Sequence, residues 1–140
     1  MLKNLPKILS PELLKALSEM GHGDELVIAD ANFPAHKMNK HVIRADGISG
    51  TDMLKAVLTV IPLDTYAKEN FMLMKTTNGD PTPKIWKEYD KIAKSLDKNV
   101  KKKMIERFAF YERSKDAYLV IETGEERIYG NIIIKKGVIK

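Results

Sequence analysis

The chain of 140 residues contains no cysteine, which excludes a disulfide framework, thiolate metal ligands and a cysteine nucleophile. No apolar run approaches the roughly 18 residues that a membrane span needs. The opening Met1-Leu2-Lys3-Asn4-Leu5-Pro6 lacks the long apolar stretch of a signal peptide. A cytoplasmic protein without membrane association is expected. There are only three histidines. His22, His36 and His41 make neither a two-histidine helix motif nor a tight ligand spacing, so no metal site is expected. Repeats, low-complexity tracts and long linkers are also missing. The length and an apolar content of 44% point to one globular domain spanning 1–140.

Charge is present in excess of one sign: 24 Lys+Arg against 19 Asp+Glu give a formal +5. Much of the excess sits in the cluster from Lys98 to Lys103. Aromatic residues do not interleave with it as they would on a base-stacking platform, so it reads as a solvated face and no nucleic-acid partner is expected.

The organising stretch runs from Gly21 to Pro34. Gly21-His22-Gly23-Asp24 and Asp30-Ala31-Asn32-Phe33-Pro34 are turn-forming ends around Glu25-Leu26-Val27-Ile28-Ala29, a short run suited to a buried strand. Ahead of it, Ser10-Pro11-Glu12 is a helix start with serine as N-cap and proline at the first helical position. Leu13, Leu14, Leu17 and Met20 follow on one face, and Gly21 is expected to stop the helix. His22 would then leave a helix C-terminus, a setting that favours a cationic imidazole. Asp30 lies where the strand stops, and ligands of open α/β sheets bind beyond the carboxyl ends of strands. The spacing thus places Asp30 in a cleft, with His22 as its neighbour.

After a polar loop with His36 and His41, Val42–Ala45 is a short strand and Thr51 with Asp52 is expected to cap a second helix closed by Pro62. Phe71–Met74 is a buried strand, and Pro83 to Leu96 carries a helical stripe of Ile85, Trp86, Tyr89, Ile92 and Leu96. Met104–Arg113 reads as a short strand or turn feeding a helix. Ala117–Ile121 is a strand, joined through Thr123-Gly124-Glu125-Glu126 to a hairpin partner at Arg127–Ile134. Alternating helices and strands imply an α/β layered domain with a mixed sheet.

Each candidate side chain has two readings. His22 is either a general acid or a turn residue capping the preceding helix. Asp30 is either a ligand-facing carboxylate or an Asx-turn. Arg107 is either a ligand clamp or an ion-pair residue on a helix. Tyr129 and Asn131 share one sheet face at period two with Gly130 between them, an arrangement that suits sugar hydroxyls but is common on edge strands. Gly47-Ile48-Ser49-Gly50-Thr51 lacks the lysine of a phosphate loop, and no serine nucleophile stands in a recognisable setting.

Taken together, Gly21-His22-Gly23-Asp24, Asp30-Ala31-Asn32-Phe33-Pro34 and Arg107-Phe108-Ala109-Phe110-Tyr111-Glu112-Arg113 resemble the L-fucose mutarotase and D-ribose pyranase family. The likeness extends from Ile8–Leu14 to Tyr129-Gly130-Asn131-Ile132, and the arginine-aromatic segment is similar to the fucose branch. Asn32 stands where many bacterial members of that branch carry histidine. The resemblance implies a three-layer α/β/α subunit and an isomerase that interconverts the anomers of a monosaccharide, L-fucose in the first place. It implies that His22 is the proton donor and that Asp30, Arg107, Tyr129, Gly130 and Asn131 bind the sugar. It further implies a homo-oligomer of pentameric rings pairing as a decamer, with sites near subunit contacts, and no cofactor. A D-ribose pyranase and a sugar-binding module without turnover are the competing readings.

Overall fold

Five of the six strands in the computed structural model, which describes residues 1–140, run in the same direction. In chain order the strands are β1 (Glu25–Ala29), β2 (Val42–Ala45), β3 (Phe71–Met74), β4 (Lys102–Ile105), β5 (Leu119–Thr123) and β6 (Ile132–Lys135). Across the sheet they lie in the order β2-β5-β1-β6-β3-β4. Only β6 is reversed, pairing antiparallel with β1 on one side and β3 on the other.

The helices are α1 (Pro11–Glu19), α2 (Ala35–Met38), α3 (Gly50–Val60), α4 (Ile85–Leu96) and α5 (Arg107–Asp116). Strand periodicity sorts them into two layers. Leu26 and Ile28 of β1 face a core built with Leu13 and Leu17 of α1, Met53 and Leu54 of α3, and Ile85 and Tyr89 of α4. Val27 and Ala29, one residue out of phase, face a smaller core with Ala35 of α2 and Phe110 of α5. Both faces of the central strands are covered, which is why β1, β5 and β6 are buried at nearly every position rather than alternating. The result is the expected α/β/α sandwich on a mixed sheet.

Local details depart from the sequence reading in instructive ways. The expected hairpin between Ala117–Ile121 and Arg127–Ile134 does not form. β5 spends its two edges on β1 and β2 in parallel, so β6 must pass over the end of β1 and pair on its far side. α1 is not closed by a left-handed Gly21; Met20 leaves it in extended conformation, and Gly23 is the residue with positive φ, +84°. The second helix is capped by Ser49, whose hydroxyl accepts from the Asp52 N–H, rather than by Thr51 or Asp52. The polar loop after Pro34 contains the single helical turn α2.

Lys101, Lys102 and Lys103, on and beside the edge strand β4, are engaged within the chain. Lys101 donates to the Thr65 and Ala67 carbonyls, and Lys102 and Lys103 pair with Asp90 and Glu69. Charged lysines on an edge strand also discourage pairing with another sheet. No helix is long and apolar enough to cross a membrane.

Candidate functional site

Because β6 alone is reversed, the carboxyl ends of the other strands and the entry to β6 gather at one end of the sheet. A cleft of about 350 Å³ opens there, lined by Asp30 after β1, Met74 and the turn after β3, Arg107 after β4, and Tyr129 and Asn131 before β6. That volume is at the small end for small-molecule sites. A larger hollow under the N-terminal segment is lined by Met1, Leu2, Leu5 and Leu9 and brings together no polar constellation. Nowhere do three or more His, Asp or Glu gather in a way that could hold a metal ion.

Asp30 is fixed in the cleft by its neighbours on both sides. The Asn131 amide brackets it: its Oδ1 accepts from the Asp30 N–H at 2.8 Å, and its Nδ2 donates to Asp30 Oδ2 at 3.0 Å. The other carboxylate oxygen accepts from the Asn32 N–H at 3.0 Å, the Asx-turn that the sequence left open. Turn and ligand-facing carboxylate are therefore compatible. Burial pushes the Asp30 pKa up despite these hydrogen bonds, because the ionised form loses more hydration than the donors return.

Arg107 is the first residue of α5, held there by Glu106. The Glu106 carboxylate accepts from the N–H groups of Phe108 and Ala109, capping the helix, and its pKa is lowered by those two bonds. The Arg107 side chain donates through Nε to the Tyr111 hydroxyl at 3.1 Å and lies 5.5 Å from the centre of that ring. The guanidinium is thus pinned by an aromatic neighbour rather than by an acid, and keeps its charge and further donors for the cleft.

Tyr129 is not on a sheet face at period two with Asn131, because β6 begins only at Ile132. Its backbone is left-handed, with φ +60°, a conformation that a bulky residue adopts only under constraint. The constraint comes from α4. Trp86 Nε1 donates to the Tyr129 carbonyl at 2.9 Å, and the Tyr89 hydroxyl donates to the Gly130 carbonyl at 3.0 Å. Tyr89 is fully buried, and burial drives its pKa far up, so it acts only as a neutral donor. Sequence periodicity placed Trp86 and Tyr89 in a helical stripe but gave no sign that their polar ends hold residues 129 and 130.

His22 lies elsewhere. It precedes β1 while Asp30 follows it, and the five-residue strand alone separates the two by roughly 16 Å. The expectation that imidazole and carboxylate share one cleft is not met within a single subunit. Nor does His22 sit on the end of α1: Lys136 does, its Nζ donating to the Leu17 and Met20 carbonyls. The partner of His22 is Asp64, with Nε2 and Oδ1 2.8 Å apart. Nothing in the sequence around Asp64 singles it out. Burial alone would raise the Asp64 pKa, but the His22 ring and the N–H groups of Ala67 and Tyr66 outweigh it and hold the carboxyl below its ordinary value. The remaining histidines are separate: His36 meets Arg44, and His41 meets the Tyr118 carbonyl.

Comparison with known proteins agrees with this fold. The model of the RbsD / FucU transport protein family matches residues 3–139. An L-fucose mutarotase from Histophilus somni (strain 2336) is 49% identical over 140 residues, covering 99% of this chain and 97% of its own. A fucose mutarotase from Danio rerio is 49% identical over 146 residues, with 99% and 94% covered. The crystal structure of the fucose mutarotase in complex with L-fucose from Streptococcus pneumoniae superposes with a TM-score of 0.95 at 44% identity, covering 99% of this chain and 100% of that one.

Proposed function

The chain belongs to the RbsD / FucU transport protein family, and we propose that it is an isomerase interconverting the α and β anomers of L-fucose. The observation that carries the proposal is the cleft itself. A buried carboxylate, an amide, a phenol and an uncommitted guanidinium converge there, next to the apolar surfaces of Phe33, Met74 and Ile128. Fixed acceptors and donors suit the ring hydroxyls of a monosaccharide, and apolar surface suits its carbon face.

Mutarotation requires that the ring oxygen gain a proton while the anomeric hydroxyl loses one. The carbon–oxygen ring bond then breaks, and the open aldehyde recloses on its other face. We assign Asp30, Arg107, Tyr129, Gly130 and Asn131 to sugar binding. Asp30 accepts hydrogen bonds from sugar hydroxyls through its buried carboxylate, Arg107 donates to another hydroxyl edge, and residues 129–131 hold the rest. His22 is assigned as the acid that protonates the ring oxygen, oriented by Asp64.

Since His22 stands at the opposite end of β1, the assignment requires that a neighbouring copy supply it. Two apolar patches support such a contact. Beside His22, the ring of Tyr66 lies 5.2 Å away and is exposed. At the cleft rim, Phe108 and Ile128 are exposed. Patches at opposite ends of one subunit fit a head-to-tail contact, which closes into a ring when the rotation allows. Pentameric rings paired as a decamer, and a cytoplasmic setting, belong to the same reading and rest on the family resemblance. Light scattering gives the subunit number directly.

Saturation-transfer NMR on L-fucose tests the activity. Exchange between the two anomers well above the buffer rate is expected, and exchange at the buffer rate overturns the proposal.

A further inference from the structure

The loop after Pro62 carries an aromatic ring that packs into no core of its own subunit. Tyr66 is 66% exposed, yet the backbone beneath it is firmly anchored. Asp64 Oδ1, the atom that faces His22 Nε2, also accepts from the Tyr66 N–H at 3.3 Å. Lys101 Nζ donates to the carbonyls of Thr65 and Ala67, on either side of Tyr66. The buried Asn70 amide donates to the Asp64 carbonyl at 2.8 Å. The imidazole and the Tyr66 ring are 5.2 Å apart between centres and tilted by 56°. With one carboxylate holding both, they form a single unit.

The ring face already attracts positive charge: Lys140 Nζ lies 4.9 Å from its centre. The C–H groups of a sugar are weakly polarised in the same sense and suit the same kind of face. Lys140 is exposed, and its flexible stem gives way to them.

Where His22 goes, Tyr66 follows. With Nε2 given to Asp64, Nδ1 is the nitrogen that reaches the ring oxygen of a sugar in the next copy's cleft. That oxygen is bonded to carbon 1 and carbon 5 alone. An aromatic ring this close to the imidazole comes within contact of the substituents on one of those two carbons. Carbon 1 carries the hydroxyl that must lose a proton, which needs a polar neighbour. Carbon 5 of L-fucose carries a methyl group, which an aromatic face suits. The cleft's own subunit offers that methyl little cover. Phe33 and Met74 are packed almost wholly into the smaller core, the Arg107 guanidinium lies over Tyr111, and only Ile128 rises at the rim.

We infer that Tyr66 is a specificity-determining residue, carried with His22 into the neighbouring copy's cleft, where it covers the C5 methyl group of L-fucose. The inference rests on the mutarotase reading with a shared site, and adds to it the contact that reads the methyl group.

The test compares L-fucose with D-arabinose, which has the same configuration at carbons 2 to 4 and hydrogen in place of the methyl group. Anomer exchange is measured on both sugars for the full-length parent, Tyr66→Phe, Tyr66→Ala and Tyr66→Gln. The readout is the ratio of the two kcat/KM values, because a change in folding or assembly acts on both sugars alike. The parent is expected to favour L-fucose about tenfold or more, the usual worth of such a group in an apolar site. Tyr66→Phe, which keeps the ring, should hold the ratio within about twofold, whereas Tyr66→Ala and Tyr66→Gln should lower it about fivefold or more, chiefly through L-fucose. An unchanged ratio in the alanine and glutamine variants, or a ratio lost in Tyr66→Phe, overturns the role of Tyr66 and leaves the mutarotase reading intact. Saturation-transfer difference NMR on the parent tests the same contact without a variant. The methyl protons of L-fucose are expected to take up at least as much saturation as any ring proton, and weaker uptake there overturns the contact. A parent that exchanges neither sugar overturns both readings.

Discussion

The exposed ring of His22 is held at 2.8 Å by the buried carboxylate of Asp64. A side chain nearly half open to solvent does not keep one orientation by packing, so the acid fixes both the ring and which nitrogen faces outward. Asp64 is in turn fixed by the N–H groups of Tyr66 and Ala67. His22→Ala is expected to slow anomer exchange at least a hundredfold, the usual value of a positioned acid. Asp64→Asn, which keeps the shape but removes the charge, is expected to slow it about tenfold or more. Saturation-transfer NMR measures both, and circular dichroism checks that each variant is folded.

A site shared between copies makes a quantitative prediction. His22→Ala and Asp30→Asn subunits are each expected to be nearly inactive alone. If the subunits exchange at random in an equal mixture, about a quarter of the sites pair an intact cleft with an intact histidine from the next copy. Mixed and re-equilibrated variants should thus recover about a quarter of parental exchange. A mixture as inactive as its components would show that one subunit supplies both groups.

The two carboxylates predict opposite responses to acid. Burial raises Asp30 above its ordinary value, so it takes up a proton at a higher pH than an exposed aspartate does. KM for L-fucose is expected to rise as pH falls toward 4, before an ordinary carboxylate titrates, and Asp30→Asn should lose that dependence. Asp64 is instead held below its ordinary value. Its contribution to stability is present above the unfolded value near 4 and is lost only as pH falls through the lower folded value. Urea unfolding between pH 7 and 2 is expected to place that loss at the acid extreme for the parent and to remove it in Asp64→Asn.

A stability prediction concerns the underside of the cleft. A Cβ built on Gly50 would meet the Tyr89 hydroxyl at 2.0 Å, and that hydroxyl is the donor to the buried Gly130 carbonyl. Tyr89→Phe leaves the carbonyl unsatisfied and is expected to cost about 1–3 kcal/mol. Gly50→Ala is expected to cost a similar amount, about 1–3 kcal/mol, by overpacking. With the hydroxyl gone, much of the overlap is relieved. The double variant should therefore be less destabilised than the sum of the two, as read from urea midpoints.

The sequence by itself determined the layers and most of the parts. Strand runs such as Leu26–Ala29 and Phe71–Met74, the Ser10-Pro11 helix start, and the stripe from Ile85 to Leu96 carry their own periodicity and capping chemistry, which are local properties. The candidates Asp30, Arg107, Tyr129 and Asn131 were also legible as residues, and the structure gathers all of them in one cleft, with Tyr129 and Asn131 ahead of β6 rather than on one of its faces. What sits across the sheet was decided only by tertiary structure. Whether β6 pairs with β5 or β1 depends on which edges are already taken, which no short window records. The same holds for Asp64 under His22, 42 residues apart in the chain, and Asp80 under Tyr129, 49 apart. A hydrogen bond between distant segments leaves no period or spacing in the sequence, because its geometry comes from the packing of the elements that carry its two ends.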